Sequence, residues 1–137
     1  MQKILRVDMT TGNIVAEENE KYQFLGGRAL SSRIIYDEVE PTCEPLGKKN
    51  KLVFATGLLS GTIASSASRL SIGGKSPLTN GIKEANSGGT AGARLSKHGI
   101  QALVIEGKSL TDDCYVLIIN KEQFKLEKMD NLKNEGT

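Results

Sequence analysis

The 137-residue sequence predicts one α+β domain, built from mixed β-sheets with two main helices. Three observations carry that expectation. Short runs of strand character, alternating or continuously apolar, recur at 4–9, 51–57, 100–106 and 114–122. Two segments, 24–39 and 87–99, change to helical spacing. Strands and helices do not alternate regularly, and no GxGxxG follows a strand, which argues against a dinucleotide-binding fold.

The elements follow in order. "ILRVDMTTGNIVAEE" reads as a hairpin: Ile4 to Met9 alternates, Thr10–Asn13 carries turn chemistry with Gly12, and Ile14 to Glu17 resumes. Phe24, Leu25, Ala29, Leu30, Ile34, Ile35 and Val39 then recur at helical spacing. Gly26 and Gly27 mark either the start of that helix or a close backbone approach. "EPTCEPLGKKN" is a Pro/Gly connection, and "KLVFATG" is a buried strand ending at Gly57. "RLSIGG" and "IKEAN" are short strands inside a stretch of mostly small residues. "SGGTAGARLSKHG" fits a helix with Ser87 as N-cap and Gly99 just past its end. "IQALVIEGKS" and "CYVLIINKE" are strands separated by a turn at Leu110–Asp113, and "FKLEKM" is a candidate third. Both helices are expected on one side of the sheets. The tail, 128–137, is expected to be disordered or to run on into further domain.

Composition narrows the function. The net charge is +2 with acids and bases interspersed, so the clustered base of a nucleic-acid surface is missing. No apolar run approaches a membrane span, and the N-terminus lacks a signal peptide's apolar stretch, so the cytoplasm is the expected compartment. Cys43 and Cys114 belong to no CxxC or Cys/His cluster and read as reduced thiols. Glycine is 15 of 137, about 11% against an ordinary level of about 7%, and its excess lies between Gly57 and Gly107.

That glycine-rich centre is where binding chemistry concentrates. Asn86, Ser87, Gly88 and Gly89 precede the second helix, where first-turn amides lack intrahelical partners. Glycines let an anion approach such amides. Arg69 offers a planar fork and Lys75 a point charge, so together they are candidates for holding a phosphate or a polar ring. The competing reading makes Ser87 only a cap and Gly88–Gly89 only a helix–sheet contact. No P-loop pattern is present. His98, the one histidine, reads as a helix-end residue, and Glu106 as a strand-end carboxylate in solvent.

The segments "LRVDMTTGNI", "GGRALSSRIIYDEVEPTCEPLGKKNKLVFATGLLSGT" and "SRLSIGGKSPLTNGIKEANSGGTAGARLSKHGIQALVIEGKS" together resemble the N-terminal domain of aldehyde ferredoxin oxidoreductases almost end to end. The resemblance implies a tungsten (or molybdenum) bis-pterin enzyme with magnesium and a [4Fe–4S] cluster. It implies oxidation of aldehydes to carboxylic acids, with electrons passed to ferredoxin. It implies a domain of two sheets related by a pseudo-twofold, on which the pterin rests. It places Arg69 between pterin and cluster, and Asn86, Ser87, Gly88 and Gly89 at the pterin phosphates. It also gives the Asn86 backbone carbonyl to the bridging magnesium. No catalytic residue is carried over.

The resemblance also implies what lies elsewhere: the cluster cysteines, the substrate pocket and a second pterin segment all belong to C-terminal domains beyond Thr137. The chain is then expected to be an incomplete piece, inactive alone, spanning 1–137 as the pterin-binding domain. Uncovered apolar surface leads to the expectation of homo-oligomers. Two alternatives stay open: a stand-alone binding or scaffold module of the same fold, and a subunit completing a redox complex in trans.

Overall fold

The computed structural model describes residues 2–121 and 123–133. The elements are β1 (Lys3–Asp8), β2 (Ile14–Glu18), α1 (Gly27–Glu38), β3 (Lys51–Thr56), β4 (Leu70–Lys75), β5 (Ile82–Ser87), α2 (Ala91–Lys97), β6 (Ile100–Glu106), β7 (Tyr115–Ile119), β8 (Phe124–Lys128) and a 3₁₀ turn at Asp130–Leu132. Six strands form one sheet in the order β2-β1-β6-β3-β4-β5, and β7-β8 form a separate hairpin. Only the β1–β6 pair is parallel, so the sheet is mixed as expected.

The β1–β2 turn closes as its sequence foretells. Asp8 accepts from the Thr10 amide at 2.8 Å and the Thr11 hydroxyl at 2.9 Å, and Gly12 takes the left-handed φ of 76° that an L side chain resists.

The apolar alternation of β3 sorts the core into two halves. Val53 and Ala55 face one side, with Leu30, Ile34, Ile35 and Val39 of α1 and with Ile4, Ala102 and Val104. Phe54 faces the other side, with Leu5, Val7, Ile100 and Leu103, Leu95 of α2, and Leu117, Ile119, Phe124 and Leu126 of the hairpin. The two helices therefore lie on opposite faces of the sheet, not on one side. Helical spacing tells which stripe of a helix is buried but not which sheet face receives it.

Two further expectations change. Phe24 lies in the turn before α1 and is 81% exposed, so it is no part of the helix's apolar stripe, and Ala29 is exposed as well. The described residues form two sheets of unequal size, one of six strands and one a hairpin. Residues 128–133 carry structure, the end of β8 and the 3₁₀ turn, so the expected disordered tail does not begin at 128; residues 134–137 lie outside the described residues.

Gly26 and Gly27 meet both expectations held for them. α1 starts at Gly27, and a Cβ on Gly26 would sit 2.6 Å from the Leu58 amide nitrogen. The start of α1 is thereby pinned against the exit of β3. Buried Gln101 on β6 anchors the same entry: it donates to the Leu25 carbonyl at 2.7 Å and accepts from Asn19.

Candidate functional site

Antiparallel register builds the site. Thr56 pairs with Leu70, and Leu70 with Ser87. The exit of β3, the entry of β4 and the exit of β5 thus lie side by side at one end of the sheet. The loop 57–66, exposed apart from half-buried Gly57 and buried Ser60, and the Ser87–Thr90 turn emerge there.

Arg69 immediately precedes β4, and Asn86 is the penultimate residue of β5. The pairing brings them together across 17 residues, and Arg69 Nε donates to Asn86 Oδ1. Beside them the backbone is bare. A Cβ on Gly88 would touch only Arg69 Nη1, at 3.6 Å. One on Gly89 would meet nothing within 4 Å, but its φ of 99° disfavours an L residue. Ser87 is exposed and donates its hydroxyl to the Gly88 carbonyl at 3.2 Å. All five residues drawn from the sequence, Arg69, Asn86, Ser87, Gly88 and Gly89, therefore gather at one open edge.

The local reason for the gathering differs from the expected one. Ser87 is not a helix cap: β5 runs through Ser87, and α2 begins at Ala91 behind Thr90, with no side-chain cap. The Asn-Ser-Gly-Gly signal fits a strand end and turn as well as a helix start. α2 is instead seated by Gly92, whose Cβ position lies 2.5 Å from the Ser68 carbonyl oxygen and 3.4 Å from that of Arg69. Helix and Arg69 backbone are in direct contact.

Lys75 does not join the site. It sits at the far end of β4, buried, and its ammonium donates to the Pro41 carbonyl at 2.6 Å and the Cys43 carbonyl at 2.5 Å. Glu106 is not a solvent carboxylate. It accepts from Lys51 inside a half-buried group in which Arg6 makes two 2.8 Å bonds to Glu38. His98 ends α2 as expected, and Gly99 follows with φ 72°.

Sequence reading missed two neighbours, Glu84 and Arg28. Glu84 accepts from Ser71 Oγ at 2.7 Å and from Arg28 Nε at 3.1 Å, and Asn86 Nδ2 lies 3.5 Å from it. Ser71 in turn shares a buried 2.8 Å bond with Ser31 of α1. The Ser71 hydroxyl first, then Asn86 and Arg28, hold the Glu84 carboxyl below its ordinary range. The available signal was period two along β5, which puts Glu84 and Asn86 on one face.

The residues present suit an anion with phosphate-like oxygens. A guanidinium fork lies next to open, Cβ-free backbone, and its Nη atoms have no partner among the described residues. Among the described residues no group of three or more His, Cys, Asp or Glu side chains could hold a metal ion, and of the two free cysteines Cys43 is buried and Cys114 half-buried. Among the described residues no helix is long and apolar enough to cross a membrane.

Comparison with known proteins joins this geometry to a family. The model of the aldehyde ferredoxin oxidoreductase N-terminal domain matches residues 4–137. The chain belongs to the aldehyde ferredoxin oxidoreductase family. A tungsten-containing aldehyde ferredoxin oxidoreductase of Pyrococcus furiosus is 42% identical over 110 residues, covering 78% of this chain and 18% of the relative. That of Pyrococcus abyssi is 42% identical over 127 residues, covering 90% and 21%. The WOR-like subunit of an aliphatic sulfonate oxidoreductase, also from P. furiosus, is 32% identical over 113 residues. Among solved structures, the active-site complex BamBC of benzoyl coenzyme A reductase, in complex with 1,5-dienoyl-CoA, superposes with a TM-score of 0.90. It shares 31% identity, over 98% of this chain and 21% of that one. The aldehyde ferredoxin oxidoreductase fold expected from the sequence is the fold observed, and the chain is a domain of an oxidoreductase family. It spans about a fifth of the length of these relatives.

Proposed function

We propose that the chain is the pterin-supporting N-terminal domain of a tungsten-dependent aldehyde:ferredoxin oxidoreductase. One observation carries the assignment to this edge: Arg69 is tied to Asn86 beside the open Gly88–Gly89 backbone. When bound, a tungsten (or molybdenum) bis-pterin with its neighbouring [4Fe–4S] cluster supplies the two-electron oxidation of an aldehyde to a carboxylic acid, with ferredoxin as acceptor.

The chain's own part is to bind and orient. The Arg69 fork would donate charge-assisted hydrogen bonds to the cofactor, at the position that the family resemblance sets between pterin and cluster. Asn86 fixes the fork's angle by accepting at Nε, which leaves the Nη donors for the ligand. Gly88 and Gly89 keep bulk away from the cradle, and Ser87 lines it. The Asn86 backbone carbonyl would offer a hard oxygen to a magnesium ion held with the cofactor. Cluster ligands, the aldehyde pocket and the ferredoxin surface belong to further domains of the whole enzyme. Within this reading the domain comprises residues 1–137, and the enzyme is a cytoplasmic homo-oligomer.

The test uses the full-length protein. Gly88→Val should lower tungsten per chain severalfold, measured by elemental analysis, because a β-branched side chain would cover the Arg69 fork. Arg69→Lys should keep tungsten near normal, because the charge remains. Full tungsten in Gly88→Val with loss in Arg69→Lys would overturn the assigned roles.

A further inference from the structure

Asn86 can hold Arg69 only with its amide turned one way. The side chain carries one acceptor oxygen and one NH₂ group, and the Arg69 Nε–H needs the oxygen. Turned over, the amide would set a donor against a donor. The other side of the amide meets Glu84: Asn86 Nδ2 lies 3.5 Å from Glu84 Oε1. The two residues are two apart on β5 and share a face of the strand. Glu84 is ionised at neutral pH, its pKa held below the ordinary range first of all by the Ser71 hydroxyl, and an ionised carboxylate only accepts. It attracts the NH₂ end of the amide and repels the oxygen.

Glu84 is itself fixed from behind. Its Oε1 accepts from Ser71 Oγ at 2.7 Å and its Oε2 from Arg28 Nε at 3.1 Å. Ser71 is fully buried and shares a 2.8 Å bond with Ser31 of α1, equally buried. Proton counting gives that bond a direction. The single Ser71 proton goes to the carboxylate, so Ser31 donates, sharing its proton with the Arg28 carbonyl at 3.2 Å. A one-way chain thus runs from the core of α1 through Ser31, Ser71 and Glu84 to the Asn86 amide, and ends at the Arg69 guanidinium. Glu84 and Arg69 share no hydrogen bond or ion pair of their own among the described residues.

We infer that Glu84 is a positioning residue of this site: it turns the Asn86 amide so that the oxygen faces Arg69, and through that amide it fixes the guanidinium. The inference rests on the reading of Arg69 as a cofactor-holding residue and adds to it what aims that residue. The role of Glu84 is orientation, not contact with the cofactor.

The test follows the Arg69 Nε–H signal of the ligand-free, ¹⁵N-labelled 137-residue chain and its exchange with water at mildly acid pH. Glu84→Met keeps the length of the side chain and removes both acceptor oxygens. It should speed exchange at Arg69 about three- to tenfold, the net worth of one hydrogen bond, while backbone signals away from β5 stay in place. Asn86→Asp supplies the discriminating background, since a carboxylate presents an oxygen to Arg69 whichever way it turns. There, Glu84→Met should leave exchange unchanged or slow it, because two neighbouring carboxylates no longer repel each other. Unchanged exchange in Glu84→Met alone overturns the inference. Equal acceleration in both backgrounds also overturns it, because Glu84 would then act on Arg69 through its charge and not through the amide. Neither result decides the reading of the site itself, which the tungsten content of Gly88→Val decides separately.

Discussion

Gly92→Ala tests whether α2 is seated on the Arg69 segment. In an ordinary helix this change is favourable, by about 1 kcal/mol of backbone entropy. Here the added methyl would arrive 2.5 Å from the Ser68 carbonyl oxygen and 3.2 Å from its carbonyl carbon. Both are backbone atoms held by the entry into β4, so no side-chain rotation relieves the contact. Overpacking costs about 1–3 kcal/mol, and a 2.5 Å contact with backbone falls in the upper part of that range, about 2–3 kcal/mol, so the net after the propensity gain of about 1 kcal/mol is a loss of about 1–2 kcal/mol. For a domain of this size that lowers Tm by about 4–8 °C. Thermal unfolding followed by circular dichroism measures it directly. Gly88→Ala is the control, because its Cβ would meet only Arg69 Nη1, at 3.6 Å, and should change stability by less than about 0.5 kcal/mol. Equal or higher Tm in Gly92→Ala would refute the seating, and with it the claim that α2 fixes the Arg69 backbone.

Lys75→Met should destabilise the fold by about 2–4 kcal/mol in urea unfolding, since the Pro41 and Cys43 carbonyls each lose a charged donor; unchanged stability would show that water replaces the ammonium freely. Burial works against ionisation of Glu38, but hydrogen bonds from Arg6 and Lys51 outweigh it and hold its pKa below the ordinary 4.5. A depressed carboxylate contributes stability above its unfolded pKa and loses it as pH falls through the folded value, so stability should drop below about pH 4.5 and less steeply in Glu38→Gln. A thiol reagent should titrate Cys114 quickly and buried Cys43 only on unfolding; two fast thiols would contradict the core around Cys43.

How much of this was legible in the sequence follows from how local each signal is. β3, β6 and β7 were readable because a short apolar run bounded by polar residues has few other homes. The stripe Leu30, Ile34, Ile35 and Val39 was readable for the same reason, whereas Phe24 matched the spacing by coincidence, one turn before the helix starts. The five candidate site residues come together in space, yet on a different element from the one expected. Pairing with β4 carries β5 through Ser87, and no local cap preference competes with a ladder of strand hydrogen bonds. The opposite placement of α1 and α2, the remoteness of Lys75, and the Arg28–Glu84 link depend on contacts across many residues. Arg28 and Glu84 are 56 apart in the chain, beyond any periodicity argument.

The two ends of the sheet show why the open edge, rather than the more heavily charged end, is the one proposed as the binding surface. At the end where β1 and β6 finish and β3 begins, cations and carboxylates satisfy one another: Arg6 spans Glu17 and Glu38, and Lys51 spans Glu38 and Glu106. Lys75, at the same end, is spent on carbonyls. A ligand there would have to break half-buried ion pairs, leaving uncompensated charge, which is strongly unfavourable. At the other end the guanidinium groups are fixed in direction but not consumed. Their Nε atoms meet β5 side chains while the terminal nitrogens stay in water. Exposed pairs of this kind add little to stability, about 0–1 kcal/mol. Their value lies in preorganisation: the forks are already aimed, so an incoming anion need not pay the full entropy of ordering them.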